Sequence, residues 1–133
     1  MKEKDGDYAL YKGIEYQAYF DYQIDKLVLV SHNQEDLKKG FTKYDNNDSI
    51  FLKNIDLHEA DDGYNLTTKA IYKGKEVGVA RINEAGEIVI FHGDQDFCKN
   101  NQFSFIEPGV WEKVVKVEEL DKIWQHKSPR WGF

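Results

Sequence analysis

Two short runs in this 133-residue sequence carry the residue types that bind cations or move protons. In His92-Gly93-Asp94-Gln95-Asp96 an imidazole and two carboxylates alternate, and a loop that folds back on itself can wrap such groups around a metal. The same pattern is common in acidic loops that hold none, so the run reads as a loop. Asp45-Asn46-Asn47-Asp48 begins like a calcium loop, but Ile50 stands where glycine is needed and Asp56 where a bidentate glutamate is needed. It reads as a turn. Nucleophilic catalysis needs a serine or cysteine activated by a base. Ser31 and His32 adjoin in sequence, yet neighbours on a strand point to opposite faces. The four histidines, His32, His58, His92 and His126, share no repeated position from which a common site is built. The expectation is no catalytic residue, no metal and no cofactor, with a hydrolase using His92 and its acidic neighbours as the least favoured alternative.

The frame that must position any site is a duplication. Ala9-Leu10-Tyr11-Lys12-Gly13-Ile14-Glu15-Tyr16 is answered by Ala70-Ile71-Tyr72-Lys73-Gly74-Lys75-Glu76-Val77, and the match runs without a gap from Ala9–Ser31 to Ala70–His92. Leu27-Val28-Leu29-Val30 is answered by Ile88-Val89-Ile90-Phe91. Phe51, Lys53 and Ile55 are answered by Trp111, Lys113 and Val115, Asp61 by Asp121, Tyr64 by Trp124, and Leu37 by Cys98, which makes Cys98 a small buried hydrophobe. Two modules are expected, over 1–67 and 68–133, each near the size at which a domain is only marginally stable alone.

Each copy reads as short strands. Tyr8 to Lys12 is the first, Lys12-Gly13 a turn or bulge, and Glu15 to Ile24 alternates so that Tyr16, Ala18, Phe20, Tyr22 and Ile24 face a core while Tyr19 faces solvent. The apolar run Leu27 to Val30 suits a strand covered on both faces. Polar loops over 33–49 and 93–108, where the copies differ most, are where specificity is expected. A fourth strand, Ile50 to Leu57 or Trp111 to Val117, leads through a one-turn helix to a last strand begun by Tyr64 or Trp124.

The net charge is −6 and is uneven: residues 8–67 hold 11 acids and 6 lysines, residues 69–127 hold 10 acids and 9 bases. Without a basic cluster to replace phosphate counterions the chain is not expected to bind nucleic acid. A polar start, no long apolar run and a single cysteine give the expectation of a soluble cytoplasmic protein with no membrane contact.

This order of four to five strands, a variable loop after the third and a one-turn helix before the last resembles the SH3-like small barrel, here all-β and in tandem, with one-turn helices. Ala9-Leu10-Tyr11 matches the start of the ALYDY segment of peptide-binding SH3 domains, but Lys12-Gly13 replaces the rest, so binding of proline-rich peptides is not carried over. The Tyr-Lys-Gly-x-Glu signature is similar to that of small bacterial proteins resembling the immunity proteins of polymorphic toxin systems. That resemblance implies a non-enzymatic binding module that blocks a basic toxin such as a nuclease. Glu35, Asp36, Asp45, Asp48, Asp61 and Asp62 would present acids in place of phosphates, and Tyr19 and Tyr44 would anchor the basic partner. The alternative is a small structural or regulatory domain that binds an intracellular peptide or protein. Trp131-Gly132-Phe133 is expected either to fold back over a module or to dock a partner.

Overall fold

A computed structural model describes residues 4–133. Its strands are β1 (Gly6–Tyr11), β2 (Ile14–Asp21), β3 (Lys26–Ser31), β4 (Thr42–Tyr44), β5 (Asn47–Ile55), β6 (Asp62–Tyr72), β7 (Lys75–Ile82), β8 (Glu87–His92), β9 (Ser104–Glu107), β10 (Val110–Lys116) and β11 (Lys122–Pro129). Among the described residues there are also one six-residue helix, α1 (Gln95–Asn100), and 3-10 turns at Gln34–Lys39, Leu57–Glu59 and Val117–Glu119. The fold is all-β, and the strands pair antiparallel. Among the described residues no helix is long and apolar enough to cross a membrane.

The chain divides into two compact units. The first comprises Gly6–Asn65 and Lys127–Phe133; the second comprises Leu66–His126 with Lys4 and Asp5. The division falls inside β6 and inside β11, and β6 itself runs unbroken from Asp62 through Thr67 to Tyr72. In the first unit the strand order is β4-β5-β3-β2-β1; in the second it is β6-β7-β8-β10-β9, with β11 on β6.

The Tyr-Lys-Gly signature makes the same turn in both units. Lys12 and Gly13 have φ of 50° and 80°, Lys73 and Gly74 have 49° and 77°, and they join strands paired at Tyr11↔Ile14 and Tyr72↔Lys75. Two successive left-handed residues are the tight hairpin turn whose twist matches that of the strands, which is why glycine follows the lysine. The turn fixes which side chains face inward. Tyr16, Leu27 and Ile55 are buried in the first unit, and Val77, Ile88 and Val115 at the corresponding places in the second. Leu27 pairs with Ile55 and Ile88 with Val115. The residue just before β6 and the one just before β11 make equivalent backbone bonds, Asp61 N–H to the Leu10 carbonyl (2.8 Å) and Asp121 N–H to the Ile71 carbonyl (2.9 Å).

Strand β2 ends earlier than its alternation suggests. Residues 22–25 form the turn into β3, where the Asp21 carboxylate accepts from the Gln23 N–H at 3.0 Å and Asp25 takes φ 55°; Tyr22 and Ile24 are consequently exposed and not core. The polar loops also hold more order than their composition signals. Asn33 and Asp94 cap the short helical segments by accepting from N–H groups of the first turn, and β4 and β9 form hairpins with the strands that follow. Both helical segments are ended by the same device. Lys53 Nζ donates to the Lys39 carbonyl and Lys113 Nζ to the Asn101 carbonyl, each at 2.8 Å, while their ammonium groups sit 5.5 Å and 5.1 Å from the ring centres of Tyr11 and Tyr72. Lys113 Nζ also donates to the Tyr72 hydroxyl at 2.7 Å.

Lys113→Met keeps the aliphatic stem but removes the donor that these two oxygens share. Urea unfolding of that variant should show a loss of about 1–2 kcal/mol, whereas Lys122→Met, on an exposed side chain, should lie within about 0.5 kcal/mol of the parent.

Candidate functional site

The residues with catalytic potential are held by structural bonds. His92 Nδ1 accepts from the Asp94 N–H at 2.9 Å, Asp94 Oδ1 accepts from the Asp96 and Phe97 N–H groups, and Lys75 donates to Asp94 Oδ2 at 3.2 Å. The His-x-Asp-x-Asp run is thus the N-cap of α1. Those backbone bonds, and then Lys75, hold the Asp94 carboxyl below its usual pKa. Ser31 is buried and donates to Asp36 Oδ2, while His32 Nδ1 lies 3.1 Å from the Ser49 carbonyl. The hydroxyl and the imidazole therefore serve different partners. Cys98 is fully buried, and desolvation pushes its thiol up, away from nucleophilic reactivity.

The acids expected to face a partner divide into three groups. Asp36 is 6% exposed and accepts from Ser31; its proximity also raises the Tyr16 phenol, after burial. It is a buried group whose second oxygen lies 3.6 Å from the Lys39 ammonium, because the 3-10 turn at Gln34–Lys39 folds it inward. The corresponding pair in the second unit is apolar, Val77 and Phe97. Glu35, Asp48 and Asp62 are ion-paired to Lys38 (3.1 Å), Lys43 (2.9 Å) and Lys127 (3.5 Å). Asp45, at φ 49° in the β4–β5 turn, and Asp61 have no ion-pair partner among the described residues. Tyr19 on β2 and Tyr44 on β4 are 45% and 48% exposed. Burial first, then Asp21 and Tyr44, raise the Tyr19 phenol. The first unit carries twelve acids against eight bases, the second eleven against nine over its described residues.

Sequence reading misses a cleft of about 600 Å³ in the first unit, lined by Phe20, Leu57, Ala60, Trp131 and Phe133 with Asp25, Asp56 and His58 at its polar margin. Its origin lies in the repeat. Ala60 and Gly63 stand where the second unit has Leu120 and Ile123, which pack against that unit's core. In the first unit Trp131 packs against the core instead. The segment Lys127–Phe133 is fastened there by Lys127 over the Tyr64 ring (4.0 Å), by the Arg130–Asp7 pair (3.3 Å) and by the Arg130 N–H to the Gly63 carbonyl (3.0 Å). Tyr64 donates to the Glu15 carboxylate; burial, then that bond, raise its phenol strongly. The legible signal was the loss of side-chain volume at 60 and 63 together with two large aromatics at the end of the sequence.

A Cβ on Gly63 would lie 2.6 Å from Trp131 and 2.7 Å from Phe133, both rigid rings. Gly63→Ala should therefore unseat the segment, lowering stability by about 1–3 kcal/mol and red-shifting tryptophan emission; unchanged emission would contradict this packing. The Lys26–Asp56 pair at the cleft margin gives a second expectation. Its hydrogen bond, and then its charge, hold Asp56 below the usual carboxylate range. A folded-state pKa below the unfolded one stabilises above the unfolded value and is lost as pH falls through the folded one, so the contributions of Asp56 and Asp94 should disappear progressively below about pH 4. Asp56→Asn and Asp94→Asn should each flatten the melting temperature against pH in that range.

No curated protein and no solved structure matches the chain. A family model described as "Uncharacterised conserved protein UCP033725" matches residues 3–132, nearly the whole length. The chain belongs to the uncharacterised conserved protein family UCP033725.

Proposed function

We propose that this chain is a non-enzymatic binding protein made of two tandem SH3-like modules, and that it occludes a basic protein through the first of them, in the manner of a cytoplasmic immunity protein set against a cationic toxin. The observation that carries this reading is the coincidence, in one unit, of the larger acid excess with two half-exposed tyrosines, Tyr19 and Tyr44. An acidic field steers a cationic partner and orients the encounter. Tyrosines supply large contact area at small entropic cost, which suits them as anchors. The tandem SH3-like reading is supported by the matched hairpins, core positions and closing bonds of the two units. Catalysis is disfavoured because the groups that could perform it bond to the frame: Ser31 to Asp36, His92 and Asp94 to the start of α1.

The test is affinity isolation from the native host followed by stopped-flow association with the captured protein. Replacing Asp45, Asp48, Asp61 and Asp62 by Asn should slow association by about tenfold at low salt and weaken its salt dependence. The same neutralisation of Glu84, Asp96 and Glu107 in the second unit should change it less. Tyr19→Ala or Tyr44→Ala should act on dissociation, by about 1–2 kcal/mol for a buried anchor. A partner without excess positive charge, or equal losses from both acid sets, would overturn the reading.

A further inference from the structure

The cleft beside Trp131 has a chemistry that the acid-and-tyrosine face does not share. Its walls are apolar: Phe20, Leu57, Ala60, Trp131 and Phe133. Phe20 is extended outward by Tyr22, which meets it edge-on at 4.9 Å between ring centres and is 83% exposed. Large aromatic surface left in water on a rigid hairpin is a contact surface in search of a cover. The polar margin is negative. Lys26 beside the cleft is bonded to Asp56, and Asp25 and Glu59 also lie close enough to stabilise its charge; the Arg130 guanidinium, 5.8 Å from the Trp131 ring centre, is paired with Asp7. Three carboxylates thus surround one lysine that is already engaged, and the cleft lining itself contributes no lysine or arginine.

We propose that this cleft seats a cationic-apolar segment of a protein partner, with an apolar side chain against Phe20, Ala60 and Trp131 and a neighbouring lysine or arginine against Asp25. The proposal rests on the reading of the chain as a binder of basic proteins and names where the partner's anchor enters. Charge complementarity selects this occupant: an acidic segment would meet the Asp25 and Asp56 carboxylates, and a purely apolar one would leave Asp25, which has no ion-pair partner among the described residues, without one. The pairing of apolar contact with one salt link also suits a cleft of this size, which holds one or two side chains and not a whole element. The void exists in the first unit because Ala60 and Gly63 lack the bulk of Leu120 and Ile123, and because Trp131 refills it in part. Copy one has thereby exchanged part of its own core for a recessed aromatic surface.

The probe is the capped tripeptide Leu-Arg-Leu, titrated into the full chain labelled with nitrogen-15, against Leu-Glu-Leu and Gly-Arg-Gly as controls. Leu-Arg-Leu should give saturable shifts at the amides of His58, Ala60 and Gly132 and at the Trp131 indole, and both controls should bind at least about fivefold more weakly. Asp25→Asn is compatible with the left-handed backbone at that position, so it tests charge without disturbing the turn. It should weaken Leu-Arg-Leu about threefold and remove most of the salt dependence. Equal binding of Leu-Glu-Leu, shifts centred on Tyr19 and Tyr44, or no saturable shift would overturn the proposal, as would concentration-dependent shifts at these amides without peptide, which would make the cleft an interface between copies. The four-acid variant that tests the broader reading leaves Asp25 intact, so loss of steering in that variant and loss of peptide binding in Asp25→Asn separate the two ideas.

Discussion

The constraint on which the rest depends is the register of the two Lys-Gly hairpins. A shift of one residue between paired strands moves every side chain to the opposite face, so the turn decides what becomes core. With Lys12-Gly13 and Lys73-Gly74 both left-handed, Tyr11 and Tyr72 are placed inward at the strand ends, under the ammonium groups of Lys53 and Lys113. Those lysines can then reach the carbonyls that end the adjoining helical segments. The signature residues Tyr, Lys and Gly are accordingly conformational and packing requirements that both copies meet. A motif repeated this faithfully invites a functional reading, but the bonds it makes are those of a frame.

Differences between the copies are more informative than their likeness. The second unit fills its interior with Val77, Phe97, Leu120 and Ile123; the first has Tyr16, Asp36, Ala60 and Gly63 at those positions. One substitution pair introduces a buried carboxylate, which is tolerable because Ser31 donates to it, the Tyr16 hydroxyl lies beside it and the Lys39 ammonium is 3.6 Å away. The other removes volume, which would cost stability as a cavity does unless something occupied the space. Trp131 and Phe133 occupy it in part, against a glycine that leaves them room. The same absence of a side chain at 63 explains both the close seat of the aromatic segment and the cleft next to it.

Charge in this protein is mostly spent locally. Glu35, Asp48, Asp56 and Asp62 each have a lysine within ion-pair distance. Exposed pairs of this kind contribute little to stability, and they also shorten the reach of the acids they involve. What extends into solvent is the excess, and it is larger in the first unit than in the second. Net charge is a long-range property that survives pairing, whereas a contact is made by particular groups, such as Asp25 beside an apolar wall, whose neighbours the sequence does not reveal.

The sequence by itself determined that the chain is all-β, because strand alternation and glycine-bearing turns are local signals with local causes. It also placed Cys98 inside, from its match to Leu37, and Tyr19 outside, from its phase on β2. It overran at Tyr22 and Ile24, since alternation cannot tell a strand from the turn that continues its pattern. It counted Asp36 among the surface acids, since one acid reads like another until a 3-10 turn carries it against Ser31. The tertiary structure alone decided that Lys127–Phe133 belongs with the first unit, that Asp36 turns inward to Ser31, and that Phe20, Asp25, Asp56, His58, Ala60 and Trp131 line one cleft. These residues are up to about a hundred positions apart, and nothing in local pattern records a contact over that distance. Volume missing at one place and supplied from another becomes visible once both are packed into the same space.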